Sequence, residues 1–424
     1  MKTFRRFKKD TKGTTAVIFG LAALPVVGFA GAAVDYSRAS AARADMQRAA
    51  DATALALVRD AGRLTDAQLQ ARGRTLFGGL FRTGSDITAN PLTVTRDAKT
   101  IRIAASASVQ TTLLNVMGFK QIEIGTDAKA AWGGKKIELA LVLDNTGSMD
   151  RTVKGVRKID ALKTAANNLL DTLYDATTDA ELIKVSVVPF NTQVRVDTMK
   201  TGLHPLWLAY AGGVKAGNWK GYIEDRDQPY DVNNTAPTLS KPATLFPAAQ
   251  RAYAPDLAAV QPLTGIRAGR SDLRAAINSM QPTGNTNITI GVAWGLAALT
   301  NTEPMSGAAP KGSEDIVKAM IVLTDGDNTQ NRINGASNYD PDKIDPRTRA
   351  ACTTTKTAGI TVVTIRVVEG NADLLKDCAS RPTDRSDPFY RNGEALYHDV
   401  QNPADLTPIF QSLANQVLAT RLTH

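Results

Sequence analysis

The chain has 424 residues, 43% hydrophobic and 21% charged, enough for two or three folded domains of ordinary composition. Its net charge of +9 is uneven: Lys2, Arg5, Arg6, Lys8, Lys9 and Lys12 against Asp10 put +5 into the first 13 residues. No basic-aromatic surface pattern follows that tail, so the charge describes the flank of a membrane segment, and no nucleic-acid partner is expected.

Residues 14–34 carry no charge, and about 20 apolar residues are enough to cross ~30 Å of hydrocarbon. Pro25 and the glycines at 20, 28 and 31 are tolerated in a spanning helix. The basic tail, 1–13, is then cytoplasmic, and everything after Asp35 is sent outward. The alternative is a secretory signal cleaved near Ala30-Gly-Ala32; both readings carry the rest of the chain across the membrane. From Asp35 onward Ala39, Ala42, Met46, Ala50, Thr53 and Leu57 recur at steps of three and four, the small-residue face of a continuing helix. Two-residue alternation follows in Leu92–Thr95, Ile101–Val109 and Gln121–Ala128, which predicts a small antiparallel sheet. Ala131-Trp-Gly-Gly134 reads as a linker closing a 35–134 segment.

A second domain is expected over 135–424. Ile137–Leu143 reads as a buried strand ending in Asp144-Asn-Thr146-Gly-Ser148. Ile159, Leu162, Ala166, Leu169 and Leu173 form a helical stripe. Ile183–Phe190 is the next strand and Gln193–Asp197 an edge strand. Residues 200–280, Pro-dotted and aromatic, read as a long insertion, and loops of that length are often functional. A helix over 287–300, a strand ending in Thr324-Asp325, a polar rim over 327–345, strands over 359–368 and 395–400, and a last helix capped by Asn402-Pro403 complete the pattern. Strands alternating with helices imply an α/β domain whose mainly parallel sheet is covered on both faces. Cys352 and Cys378 flank one of these strands. Outside the reducing cytosol they are expected to form a disulfide stabilising by roughly 3–4 kcal/mol; the alternative is two unpaired thiols. With three His in the chain, a zinc site is not expected.

Three stretches carry the chemistry. Asp144, Thr146 and Ser148 offer hard oxygens just past a strand's carboxyl end, where ligands of α/β sheets gather. Thr283-Gly-Asn-Thr286 adds a hydroxyl in a Gly/Asn loop, and Thr324-Asp325-Gly a second strand-end carboxylate. Asp-x-Thr-x-Ser, then Gly-x-Thr, then Thr-Asp-Gly, in this order, resembles the metal-ion-dependent adhesion site of von Willebrand factor type A domains. The resemblance implies that Thr146 and Ser148 bind the metal and that Thr286 binds it directly or through water. Asp144 and Asp325 then act largely through water. Thr146 stands where that family more often has Ser; the hydroxyl is kept. Mg2+, or Mn2+ or Ca2+, is the implied ion.

The basic tail, the apolar span, the Ala-rich helix with Gln47-Arg-Ala-Ala-Asp51 and the short meander resemble TadE/TadG-like proteins of the tight-adherence (Flp) pilus system. Such a TadG-like segment followed by a von Willebrand A domain is a familiar bacterial pairing. Prepilins carry Glu five residues after Gly; here Gly13 is followed by Ile18, so prepilin processing is not implied. The resemblance implies a single-pass inner-membrane protein, its C-terminal domain periplasmic or at the cell surface. Its partners would be other pilus-assembly components and a protein or cell-surface ligand offering a carboxylate. None of the five side chains is an activated nucleophile or tuned base, so a binding module is expected rather than an enzyme. Two alternatives stand beside it. One is a scaffold with a vacant site. The other is a phosphoaspartate enzyme, since Asp144-Asn-Thr-Gly-Ser also looks like the phosphorylation turn of P-type ATPases and related phosphatases, with Asn145 where they carry Lys.

Overall fold

The structure, a computed structural model, describes residues 14–419 except 59, 62–63, 98–99, 132–134, 178, 203, 211, 314, 334–340, 386 and 388. The basic tail and most of the expected linker lie outside the described residues. The chain divides into two compact units, Met1–Gly133 and Gly134–His424.

In the first unit, helix α1 (Thr14–Val58) runs through the apolar stretch and on into the Ala-rich segment without a break. Its N-terminal portion is long and apolar enough to cross a membrane. The small-residue face read from the sequence is the buried one: Ala39, Ala42, Met46, Ala50, Thr53 and Leu57 are all inside. Short side chains let the helix lie close on a sheet whose inner face is Ile101, Ile103, Ala105, Ala107 and Val109. That sheet is built on β3 (Thr100–Gln110), which pairs along its full length with β4 (Gln121–Ala131). The other edge of β3 carries β1 (Ile87–Ala89) and β2 (Thr93–Arg96), all antiparallel. A helix the alternation did not reveal, α2 (Asp66–Leu80), opens on a capping box in which Thr65 and Gln68 satisfy each other's backbone amides.

The second unit is built on a six-stranded sheet whose strands lie side by side in the order 261–265, 183–190, 136–144, 316–324, 361–367 and 397–400. Its strands are β5 (Lys136–Asp144), β6 (Ile183–Phe190), β7 (Gln261–Gly265), β8 (Ile316–Thr324), β9 (Thr361–Val367) and β10 (Tyr397–Val400). All pairings are parallel except that of β7 with β6. On β5, Leu139, Leu141 and Leu143 face one helical layer and Ala140 and Val142 the other, which is why the strand is apolar throughout. Helices α3 (Lys158–Asp175), α4 (Ile266–Ser279) and α8 (Leu406–Ala419) cover the first face. Helices α5 (Ile288–Ala298), α6 (Pro341–Thr357) and α7 (Ala372–Cys378) cover the second. Helix α5 sits close to the sheet through Gly295, where an added Cβ would lie 2.6 Å from Val142. A disulfide joins Cys352 on α6 to Cys378 at the end of α7.

Three expectations are corrected. The stretch 200–280 is not all insertion, because 261–279 forms the edge strand β7 and helix α4, with Ile266, Leu273 and Ile277 buried. Val194–Arg195 is not an edge of the main sheet. It pairs with Tyr222–Ile223 in a separate four-stranded sheet that includes Leu208–Tyr210 and Phe246–Ala248. That small sheet is held to α5 by Trp207 and Phe246, whose rings lie 6.3 and 5.4 Å from Trp294. The polar rim ends before Pro341, where α6 begins.

Candidate metal centre

Strand β5 delivers Asp144 to the carboxyl edge of the sheet, fully buried. Its Oδ1 accepts from the amide of Thr146 at 2.8 Å, which closes the turn. Its Oδ2 accepts from Thr324 Oγ1 at 2.6 Å and from the amide of Asp325 at 3.4 Å, so one carboxylate ties the first turn to the end of β8. Thr146 Oγ1 and Ser148 Oγ are 2.9 Å apart, and Ser148 donates to Asp325 Oδ1 at 2.5 Å. The third loop meets the same place. A Cβ on Gly326 would lie 3.3 Å from Thr286 Oγ1 and 3.7 Å from Ser148 Oγ, so both hydroxyls face one small region beside Asp325. Thus Asp144, Thr146, Ser148, Thr286 and Asp325, read from three distant stretches, are brought together.

The backbone stitches the three loops. The amide of Thr283 donates to Asn145 O at 2.8 Å and that of Gly147 to Gly284 O at 2.9 Å. Thr329 N donates to Thr286 O at 2.9 Å, and Thr286 N to Thr329 Oγ1 at 2.8 Å. Gly284 adopts φ +78°, and the ring of Tyr253 packs where its side chain would be, 2.4 Å from an added Cβ.

Two residues the motif did not name shape the site. Lys158, first residue of α3, has no exposed surface; its Nζ lies 2.7 Å from Asp325 Oδ2, which is equally buried, and 3.4 Å from Glu369. Asp225, from the insertion, accepts two hydrogen bonds from Asn287 Nδ2, at 3.0 and 2.9 Å, and one from the amide of Arg332 at 3.1 Å. It therefore grips the residue after Thr286 and the loop after Asp325 together. Burial, helped by the neighbouring charge of Asp325, pushes the Asp144 carboxyl up to about 7. Burial likewise pushes Asp225 up to about 6. With Asp144 and Asp325 ionised and Lys158 protonated, the centre carries one net negative charge.

Among the described residues no group of three or more His, Cys, Asp and Glu side chains is disposed to hold a metal ion. The centre differs from such clusters in that three of its five side chains are hydroxyls. An all-oxygen set of two carboxylates and three hydroxyls fits a hard divalent cation and not a thiophilic one.

Residues 13–61 match the family model for Flp pilus-assembly TadE/G-like proteins, and residues 251–402 match that of the von Willebrand factor type A domain. The chain carries a TadE/G-like segment and a von Willebrand factor type A domain. The matched part of the A domain holds Thr286 and Asp325; β5 and its turn, which carry Asp144, Thr146 and Ser148, precede the insertion and join the same sheet. No match is found among curated proteins. Solved structures similar to this chain include the pilus adhesin SpaC from Lactobacillus rhamnosus GG, 14% identical with a TM-score of 0.40, over 80% of this chain and 36% of that one. The PilB minor pilin from Streptococcus sanguinis is 13% identical with a TM-score of 0.38, over 81% of each chain. The vWF domain of the type V pili tip protein Mfa5 from Porphyromonas gingivalis is 10% identical with a TM-score of 0.36, over 67% of this chain and 95% of that one.

Proposed function

We propose that this is a membrane-anchored binding protein of a tight-adherence pilus system, whose A domain captures an acidic group through a divalent cation. Residues 1–13 are then the cytoplasmic tail, 14–34 the anchor, 35–134 the TadE/TadG-like stalk and 135–424 the outward binding domain. The observation that carries the reading is the convergence of the Thr146, Ser148 and Thr286 hydroxyls on the buried Asp144–Asp325 pair at the carboxyl edge of a parallel sheet. Neutral hydroxyls around a Mg2+ or Mn2+ ion leave it much of its charge, and a partner's carboxylate supplies the compensating oxygen. Asp144 is fully buried with both oxygens engaged, which favours a structural carboxylate over a nucleophile awaiting phosphate.

The test is thermal shift and ligand retention with Mg2+ or with chelator. Mg2+ is expected to raise the Tm of the wild type and to increase what it retains from envelope extracts, and Asp144→Ala to abolish both effects. If Asp144→Ala binds metal and partner like the wild type, the proposal is wrong. A second reading, a scaffold without metal, draws on Lys158, whose buried ammonium already neutralises Asp325. A Tm indifferent to Mg2+ and to chelator would favour it.

A further inference from the structure

The β3–β4 hairpin ends in a tip, Thr111–Lys120. Its short 3-10 turn, Leu114–Met117, and its flanks expose apolar side chains to an unusual degree: Val116 is 88%, Phe119 64% and Met117 58% exposed. The tip does not project into open space. It lies against α1 at two glycines within the apolar stretch. An added Cβ would come within 2.6 Å of Leu113 Cβ at Gly31, and within 3.2 Å of Met117 Sδ at Gly28. Asp35, 2% exposed, fastens it there by accepting from the amides of Thr112 at 3.1 Å, Leu113 at 2.9 Å and Leu114 at 2.8 Å.

The depth of that contact decides what covers the tip. At 1.5 Å per residue, the helix from Thr14 to Val27 spans about 21 Å, short of the ~30 Å of hydrocarbon. A membrane crossed by α1 therefore extends past Gly28 toward Asp35, and the tip lies alongside that length of helix. Gly28 is about 10 Å below Asp35 on the helix axis, the depth at which amphipathic surface elements sit. The facing part of α1 is open too, with Val26, Phe29 and Val34 exposed.

Backbone inserted in lipid must satisfy its own polar groups, and this one does to a large extent. Beyond the three amides held by Asp35, Val116 N donates to Leu113 O, Gly118 N to Asn115 O and Phe119 N to Leu114 O, at 3.3, 3.0 and 3.1 Å. Thr111 N donates to Lys120 O at 3.1 Å, and Thr111 Oγ1 donates to Phe119 O. At the base Arg38 donates to Thr112 Oγ1 at 2.8 Å and Lys120 is exposed, and within the turn Leu114–Met117 the one polar side chain is Asn115, also exposed.

We propose that the β3–β4 tip is a lipid-inserted wedge: Val116, Met117 and Phe119 dip into the outward leaflet beside α1, with Asp35 capping the loop and Lys120 at headgroup level. The wedge fixes the rotation of the stalk about α1 and its height above the bilayer, which a single spanning helix leaves free. The inference rests on α1 being a membrane span, and the experiment separates the two. The native cysteines are bonded to each other, so Val116→Cys, Phe29→Cys and Thr95→Cys each give the full-length chain one free thiol. Thr95, on β2, pairs with Arg102 at the other end of β3 and is exposed. Each variant carries an environment-sensitive fluorophore in phosphatidylcholine nanodiscs of one chain each, with or without doxyl-labelled lipid.

Val116→Cys should be quenched as strongly as Phe29→Cys, and several-fold more than Thr95→Cys; Met117→Cys should follow Val116→Cys. Quenching of Phe29→Cys with Val116→Cys left at the Thr95→Cys level overturns the wedge and keeps the span. Loss of quenching at both removes the span and the wedge with it. Val116→Cys left at the Thr95→Cys level in single-chain discs, but shielded from aqueous iodide in discs loaded with several chains, shows that a second copy covers the tip, which also overturns the proposal.

Discussion

Lys158 is the residue on which the chemistry of the centre is balanced. Its ammonium and Asp325 are both without exposed surface, and breaking such a pair leaves an uncompensated buried charge worth about 3–5 kcal/mol. Lys158→Met is therefore expected to lower the Tm strongly in chelator. The same substitution makes the centre more negative, so Mg2+ should recover more stability in the variant than in the wild type. Equal Mg2+-induced shifts in the two proteins would show that the ion and the lysine do not share Asp325. Asp144 supplies the pH dependence. Its folded pKa stands near 7 against an ordinary 3.8, raised first by burial and then by Asp325. The metal-free domain thus holds an extra proton relative to the unfolded chain between these values. That contribution is complete below about 4 and is lost as pH rises through 7. A cation competes with the proton, so Mg2+ affinity should climb from pH 6 to pH 8, as titration calorimetry would record; a flat profile would place Asp144 outside the ion's reach. The convergence of the five side chains was legible because strand-end carboxylates and hydroxyl turns have a fixed local grammar. Lys158 was not, since a lysine opening an amphipathic helix reads like any surface lysine until the fold turns it inward.

At the level of elements, the insertion acts as a brace for the loops of the candidate site. Its three strands and Val194–Arg195, which completes their sheet, are two or three residues long, too short to announce themselves by alternation, and the sheet is held in place by Trp207 and Phe246 packing on Trp294. That is why the region read as an undivided loop, and why α4 was absorbed into it although Ile266, Leu273 and Ile277 carry a helical stripe. The A-domain strands and the Ala-rich face of α1 were legible for the opposite reason. Each buries a long, regular pattern against a partner of matching period. Asp225 is where the brace touches chemistry, joining Asn287 to the Arg332 loop. Asp225→Ala should leave far-ultraviolet circular dichroism unchanged and weaken Mg2+ binding by about 10- to 100-fold, the usual effect of losing a partner that orients ligands. Unaltered affinity would reduce the insertion to a cover for α5.

Across the whole chain, topology and redox chemistry report on each other. Six of the cations precede the apolar stretch within 13 residues, opposed by Asp10 alone, and positive flanks are retained on the cytoplasmic side. The Cys352–Cys378 bond belongs to a compartment that permits disulfides. In cells quenched with acid and denatured, both thiols should therefore resist maleimide until a reductant is added. Replacing Lys2, Arg5, Arg6, Lys8, Lys9 and Lys12 with Glu removes the positive flank. If that flank sets orientation, the A domain of the variant remains in the reducing cytosol and both thiols label without reductant. The unaltered tail separates anchor from cleaved leader, since a retained span keeps an N-terminal tag on the full-length chain while a processed signal sheds it. Thiols that stay blocked in the charge-reversed variant would mean that orientation is set downstream, by Arg38, Arg43 and Arg48 on the C-terminal half of α1 or by folding of the A domain itself.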